Sequence, residues 1–245
     1  MRPWFPVGAA LLLFAGITLA ANAPDDDKRN LQGIWEVRDP PGNLEAHSAD
    51  TGIRAGESVI VDPPDGKIPY RPEAAARQKE NYKNRRAADP VSKCYLPGVP
   101  RITYMPFPFQ IFQTPDFVAI TYEYVHASRT IHMNHPQHLP DINFWMGDSR
   151  GKWVGNTLVV DVADNEGATW LDASGNFHSD ALHVVERYAK TSPDTLTYEA
   201  TIEDPKVFTR PWTIRLPLYR HPEKNAQLYE YECHVYKEDA PGLHE

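Results

Sequence analysis

Four histidines, His126, His132, His135 and His138, fall within thirteen residues, and His178 and His183 follow in the company of Asp172, Asp180 and Glu186. His132, His135 and His138 recur at three-residue spacing, which can present neutral imidazoles to zinc or copper from a loop. Pro136 makes that stretch an irregular turn and no carboxylate spacing completes a zinc motif, so a solvated hairpin loop is the competing reading. In the second group, Asp180, Leu182, Val184 and Glu186 share one face of a strand, while His183, Val185 and Arg187 share the other. An inward carboxylate among apolar neighbours is desolvated and its pKa raised, which is how a fold prepares a general acid or base. His178, in the turn just before, belongs at the same mouth. His178, Asp180, His183 and Glu186 are thus candidates for proton transfer, against a plainer reading as salt bridges around Glu186 and Arg187. No nucleophile elbow, phosphate loop, dinucleotide fingerprint or zinc-protease helix is present, and no cofactor is expected.

These residues need a scaffold, and 23 prolines and 14 glycines cut the chain into short segments suited to strands and turns. Period-2 faces recur: Leu196, Tyr198, Ala200 and Ile202; Val118, Ile120, Tyr122 and Tyr124; Trp212, Ile214, Leu216 and Leu218; and, reading Trp153 to Val162 as one run, Val154, Leu158, Val160 and Val162. Such alternation marks half-buried antiparallel strands. Gly155-Asn156, Ala173-Ser174-Gly175-Asn176 and Ser192-Pro193-Asp194 supply turns, so residues 100–236 read as a meander of six to eight strands, with Gln227 to Tyr236 closing the sheet. Before it lie an extended arm and one surface helix at about residues 71–88, with Pro72 in its first turn. The fold class expected is mainly β: an antiparallel meander closing into a β-barrel, because closure leaves no unpaired edge. Gly33-Ile34-Trp35 opening the first strand resembles the start of lipocalin-like (calycin) barrels, in which the Trp plugs one end.

Residues 1–21 read as a secretory signal: Arg2, an apolar run from Val7, and small residues that favour a cut after Ala20 or Ala21. The remainder, residues 22–245, is read as a single domain placed in the periplasm or secreted, with no second segment able to span a bilayer. Losing Arg2 leaves 24 basic against 33 acidic residues, a balance of −9 with no basic stripe, which argues against nucleic acid. In an oxidising compartment the two cysteines, Cys94 and Cys233, are expected to form a disulfide; a catalytic thiol would need a base that the sequence does not identify.

Several longer strings carry a resemblance: Pro97-Gly98-Val99-Pro100-Arg101, the stretch Gly151-Lys152-Trp153-Val154-Gly155-Asn156-Thr157-Leu158-Val159-Val160-Asp161, Thr169-Trp170-Leu171-Asp172, and His178-Ser179-Asp180 continuing to Glu186-Arg187. In this order, over roughly residues 55 to 235, they resemble a widespread family of exported bacterial proteins. The resemblance implies export and no particular activity. Asn156 replaces the acidic residue usual in that family's turn.

Three functions follow as expectations. The first is a barrel binding a small, largely apolar or aromatic organic molecule, with Trp153, Trp170, Asp172 and Tyr198 among its contacts. The second is a cofactor-free lyase, isomerase or hydratase using the proton-transfer set. The third is a metal-dependent protein using His132, His135 and His138. The sequence leaves homo-oligomers open.

Overall fold

The computed structural model describes residues 28–50 and 53–236, with side chains to residue 234. The signal sequence expected over residues 1–21 lies outside them.

Ten strands form one sheet: β1 (Gly33–Glu36), β2 (Ile60–Asp62), β3 (Phe109–Gln113), β4 (Phe117–Tyr122), β5 (Ser128–Met133), β6 (Asp148–Val154), β7 (Thr157–Ala163), β8 (His183–Ser192), β9 (Thr195–Glu203) and β10 (Trp212–Arg220). Strands β3 to β10 follow one another around the sheet, and β1 pairs with both β3 and β10, closing a barrel of nine strands. The ninth seam is therefore made by β1. The segment from Gln227, expected to close the sheet, holds only a single bridge, Tyr231 to Tyr124, and a 3-10 helix (Cys233–Tyr236). Strand β10 shares its free edge between two partners, β2 beside Thr213 and Ile214 and β1 beside Tyr219 and Arg220.

The predicted faces point inward. Leu196, Tyr198, Ala200 and Ile202 are each fully buried, and the faces of β4 and β10 behave alike. The run from Trp153 to Val162 departs from expectation. The Gly155-Asn156 turn splits it into β6 and β7, with Trp153 opposite Leu158. A two-residue turn reverses the parity, so Leu158, Val160 and Val162 fill the barrel whereas Val154 is 55% exposed.

Every seam is antiparallel but one. β5 and β6 run parallel, so the chain must travel the barrel's length between them through residues 134–147. The tight turns 114–116, 155–156 and 193–194 accordingly lie at one end. Nearly everything else gathers at the other: the arm from residue 37, helix α1 (Pro72–Ala88), the 3-10 helices Pro90–Lys93 and Arg101–Tyr104, and the connections 123–127, 164–182 and 204–211. These segments form a cap. One hydrophobic core joins them to the barrel, with Leu44, Ile68, Ala74, Ile102 and Leu171 continuous with the strand side chains.

Two glycines answer close approaches. A β-carbon on Gly33, at φ +136°, would meet Arg220 Nη1 at 2.1 Å; that guanidinium lies 4.4 Å from the Trp35 ring, so the Gly-Ile-Trp opening makes room for a cation over the buried indole. Gly175, at φ +79°, would place a β-carbon 2.7 Å from Asn81 on α1. The helix docks there through Gln78 and Asn81, which donate to the carbonyls of Ser174 and Gly175 at 3.1 Å each, and buries only Ala74. As the charged sequence demands, it is held by polar contacts at the surface. Cys94 and Cys233 form a disulfide, with Cα atoms 5.6 Å apart, that pins the C-terminal segment to the cap. Among the described residues no helix is long and apolar enough to cross a membrane.

Candidate functional site

Within the cap, lined by segments outside the strands, lies a cavity of about 590 Å³. One wall is aromatic: Phe107 packs on Tyr231 with ring centroids 4.5 Å apart and on Tyr124 at 5.3 Å, and Met105 and Pro106 extend the apolar surface. The arm contributes Pro40, Pro41 and Ile53 opposite. Tyr231 stands two residues from Cys233, so the disulfide holds this wall in place.

The cavity's polar lining comes from the cap. Arg101 donates to both carboxylate oxygens of Asp89, at 2.8 and 2.7 Å, a bidentate pair in which both residues are buried. Asp89 also accepts the Val91 amide at 3.0 Å, starting the 3-10 turn that leads to Cys94. Asp172 is buried and accepts the amides of Leu44, Ser174 and Asn176 and the Asn176 side-chain nitrogen, which ties the arm to the 172–176 turn. Burial raises its pKa, and those hydrogen bonds work in the opposite direction. Arg54, Arg85 and Arg86 complete the rim.

Beneath the cap, the barrel interior holds a second polar group. Glu186 is fully buried and forms an ion pair with Arg129, and its other oxygen accepts the hydroxyls of Tyr198 at 2.7 Å and Tyr188 at 3.1 Å. Arg129 Nε donates to Ser149 Oγ at 2.8 Å. Burial opposes the Arg129 charge, but the Glu186 carboxylate more than restores it, and its pKa stands above the ordinary value. Burial and the same carboxylate push the Tyr188 and Tyr198 phenols well up. Tyr122 rises to about 12, again through burial, with Arg129 acting against the shift. Three buried atoms here, Arg129 Nη1, Tyr122 Oη and Thr103 Oγ1, make no well-formed hydrogen bond, although the Tyr122 hydroxyl lies close enough to Arg129 and Thr103 to be influenced by both. The helix Arg101–Tyr104 separates the two groups: Arg101 lines the cavity, and Tyr104 donates to the Leu171 carbonyl at 2.7 Å and feels both Asp172 and Glu186.

The residues singled out from sequence are dispersed. Glu186 points inward, as its alternation with Val184 implies, whereas Asp180 is exposed and paired with Lys206 at 2.6 Å. His178 is buried, with Nδ1 2.8 Å from the Ser179 carbonyl and Nε2 2.6 Å from the Thr169 hydroxyl. A carbonyl can only accept, so Nδ1 carries the proton and Nε2 accepts from Thr169. Burial lowers the His178 pKa, against the pull of the Ser179 carbonyl, and favours this neutral form. His183 lies on the outer face of β8, with Nε2 3.1 Å from Asp161. Glu186 and His178 share no hydrogen-bond partner, and neither borders the cavity.

Of the expected ligand contacts, Asp172 alone borders the cavity. Tyr198 is inside the barrel and Trp170 is core. Trp153 sits beside the 155–156 turn at the far end, 5.7 Å beneath the Arg29 guanidinium. His132 and His135 are exposed, and His138 is carried by the crossing loop onto β6 and β7, where its ring nitrogens lie 2.9 Å from Asp148 and 2.8 Å from Asp161. Among the described residues, the one group of three or more histidine, cysteine or carboxylate side chains with ligand atoms within 4.8 Å is His138, Asp148 and Asp164. Arg150 Nε, 2.7 Å from Asp148, makes this an ion-pair network, and with His138 it holds the Asp148 pKa down against the effect of burial. A groove of about 780 Å³ runs along the outside of β6 to β8, lined by Val154, Val159 and Val185 among Arg150, Lys152 and Arg187, with His135 and His138 at its edge and no Phe, Tyr or Trp.

No family model matches the chain, and no curated protein does.

Sequence reasoning passed over Arg86, Arg101, Phe107, Tyr124 and Tyr231 as a site. Tyr124 was legible only as the last member of an inward face; Arg86 lies on a helix whose charges surround it on nearly every side, and the others come from short or irregular segments where periodicity gives no direction. Arg129 did leave a signal, because it shares its parity with Ile131 and Met133.

Proposed function

We propose that this protein is exported and binds a small, largely apolar or aromatic organic molecule in the cavity at the mouth of its barrel. The observation that carries the reading is the aromatic wall of Phe107 and Tyr231, backed by the buried Tyr124, beside about 590 Å³ of space and a few fixed polar groups. Ligand sites of roughly 300–1,000 Å³ have this make-up: apolar walls for affinity and a few polar groups for orientation. The site differs from the one expected, since the barrel interior is occupied by its own tyrosines, Arg129 and Glu186. Proton transfer is less well supported, because the oxygens of Glu186 are already engaged by Arg129, Tyr188 and Tyr198, and both nitrogens of His178 are engaged as well. Export is supported by the apolar N-terminal run and by a disulfide, which persists in oxidising compartments.

The test is calorimetric titration of the mature chain with a panel of two-ring aromatic compounds. Saturable one-site binding, weakened at least tenfold by Phe107→Ala or Tyr124→Ala, is expected. Binding that ignores both substitutions, or no binding across the panel, would refute the assignment.

A further inference from the structure

Arg54 and Arg85 carry their own partners, Asp39 and Asp50, so the four arginines of the mouth cavity, with Arg86 and Arg101, are matched in number by four carboxylates. The two carboxylates that line the cavity itself are Asp89 and Asp172. Both carboxylates are spent. Asp89 is taken by the fork of Arg101 and by the Val91 amide, and Asp172 by four N–H contacts from Leu44, Ser174 and Asn176. Neither can serve a cationic ligand without giving up bonds that hold the cap together. Of the arginines, Arg101 is neutralised by Asp89. Arg85 pairs with Asp50, donates to the Tyr82 carbonyl and stacks on the Tyr82 ring. Arg54 pairs with Asp39, but both side chains are at least 80% exposed, so solvent screens the attraction. Arg86 is exposed on the last turn of α1 and has no ion pair or hydrogen bond among the described residues.

We infer that the bound molecule is an organic anion, an aromatic or apolar body bearing an oxyanion such as a carboxylate or sulfonate, and that Arg86 is the residue that pairs with it. The inference rests on the mouth cavity being the binding site. The two halves of such a ligand match the two halves of the cavity: the rings of Phe107 and Tyr231, backed by the buried Tyr124, for the body, and an uncommitted guanidinium for the charge. A planar fork of N–H donors fits a carboxylate bidentately, and partial removal from water strengthens the pair. Arg86 has a plainer role too, as a cation complementing the carbonyls at the C-terminal end of α1. That role alone would cost stability on substitution and give no preference for charge in a ligand.

The experiment titrates the mature chain and its Arg86→Ala and Arg86→Lys variants with 2-naphthoate, naphthalene-2-sulfonate and the uncharged 2-naphthamide, and records thermal unfolding of each variant. Expected are at least tenfold tighter binding of the two anions than of the amide, loss of that preference in Arg86→Ala, partial recovery in Arg86→Lys, and unfolding midpoints within a degree or two of one another. Raising salt from 50 to 500 mM should weaken the anions and leave the amide unchanged. Equal binding of amide and anions, or a preference that survives Arg86→Ala, would overturn the anion inference while leaving the mouth site standing. Failure of all three compounds to bind, or binding indifferent to Phe107→Ala and Tyr124→Ala, would remove the mouth site itself and this inference with it.

Discussion

Among the described residues two arginine–carboxylate pairs are buried, on either side of the 3-10 helix Arg101–Tyr104, in opposite circumstances. Arg129 and Glu186 lie inside the barrel, surrounded by Tyr188, Tyr198, Ser149 and apolar strand side chains. Arg101 and Asp89 lie in the cap and border open space. Burial of an ion pair costs desolvation that the Coulomb gain barely repays, so neither pair is explained by stability alone. What differs is the neighbourhood. The interior pair is enclosed by the barrel, whereas the cap pair supplies a rigid polar edge to a cavity whose other edge is aromatic. A buried charge therefore does not by itself mark a binding site; space beside it does.

Breaking the interior pair should have the largest effect. Arg129→Met leaves the Glu186 carboxylate uncompensated and should cost about 3–5 kcal/mol in denaturant unfolding. Combining it with Glu186→Leu should return much of that loss, because two apolar residues leave no orphan charge. A double variant as unstable as the single one would show that the charge is not the cause.

Removing the disulfide with Cys94→Ser and Cys233→Ser together should cost about 2–4 kcal/mol, since the bridge spans 139 residues. At the mouth the same change should weaken binding of a two-ring aromatic ligand more than it disturbs the interior, because Tyr231 loses its anchor. Affinity unchanged in the folded variant would detach Tyr231 from the site.

Two tyrosines sharpen the contrast within the barrel itself. Tyr198→Phe removes a 2.7 Å hydrogen bond to a buried carboxylate and should cost about 1.5–3 kcal/mol. Tyr122→Phe removes a buried hydroxyl that lies beside Arg129 and Thr103 without a well-formed hydrogen bond, and should cost less, under about 1 kcal/mol. Equal losses would show that the network extends to Tyr122.

The smallest effect is a slope with pH. Burial depresses the His178 pKa in the folded state, so as pH falls below about 6.5 the unfolded chain takes up a proton that the folded chain refuses. Stability from this group is complete above that pH and is lost as pH falls toward the folded value, at no more than about 1.4 kcal/mol per pH unit. His178→Gln should flatten that part of the stability profile. An unchanged slope would assign it to other groups.

Much of the barrel was legible because inward and outward residues alternate, and a strand's parity decides which side chains are buried. That rule found the faces of β4, β9 and β10 and placed Glu186 inside. It failed at Val154, where two turn residues reversed the parity, and at the closing seam, which four residues of β1 make from the other end of the chain. The expectation of an oxidising compartment, with only two cysteines in the chain, led directly to the Cys94–Cys233 pair. The mouth was harder to foresee. Its walls come from the arm, the end of α1, two 3-10 helices and the segment around Tyr231, which meet only through long-range packing. Histidine spacing gives no placement for a related reason: the parallel step from β5 to β6 carries His138 away from His132 and hands it to Asp148 and Asp161.

The most direct measurement is a crystal structure of the mature chain grown with 2-naphthoate. The ring should lie against Phe107, Tyr124 and Tyr231 at the mouth, with the barrel interior still filled by Tyr188, Tyr198, Arg129 and Glu186. A ring found inside the barrel beside Glu186, or in the outer groove along β6 to β8, would contradict the assignment of the mouth as the binding site.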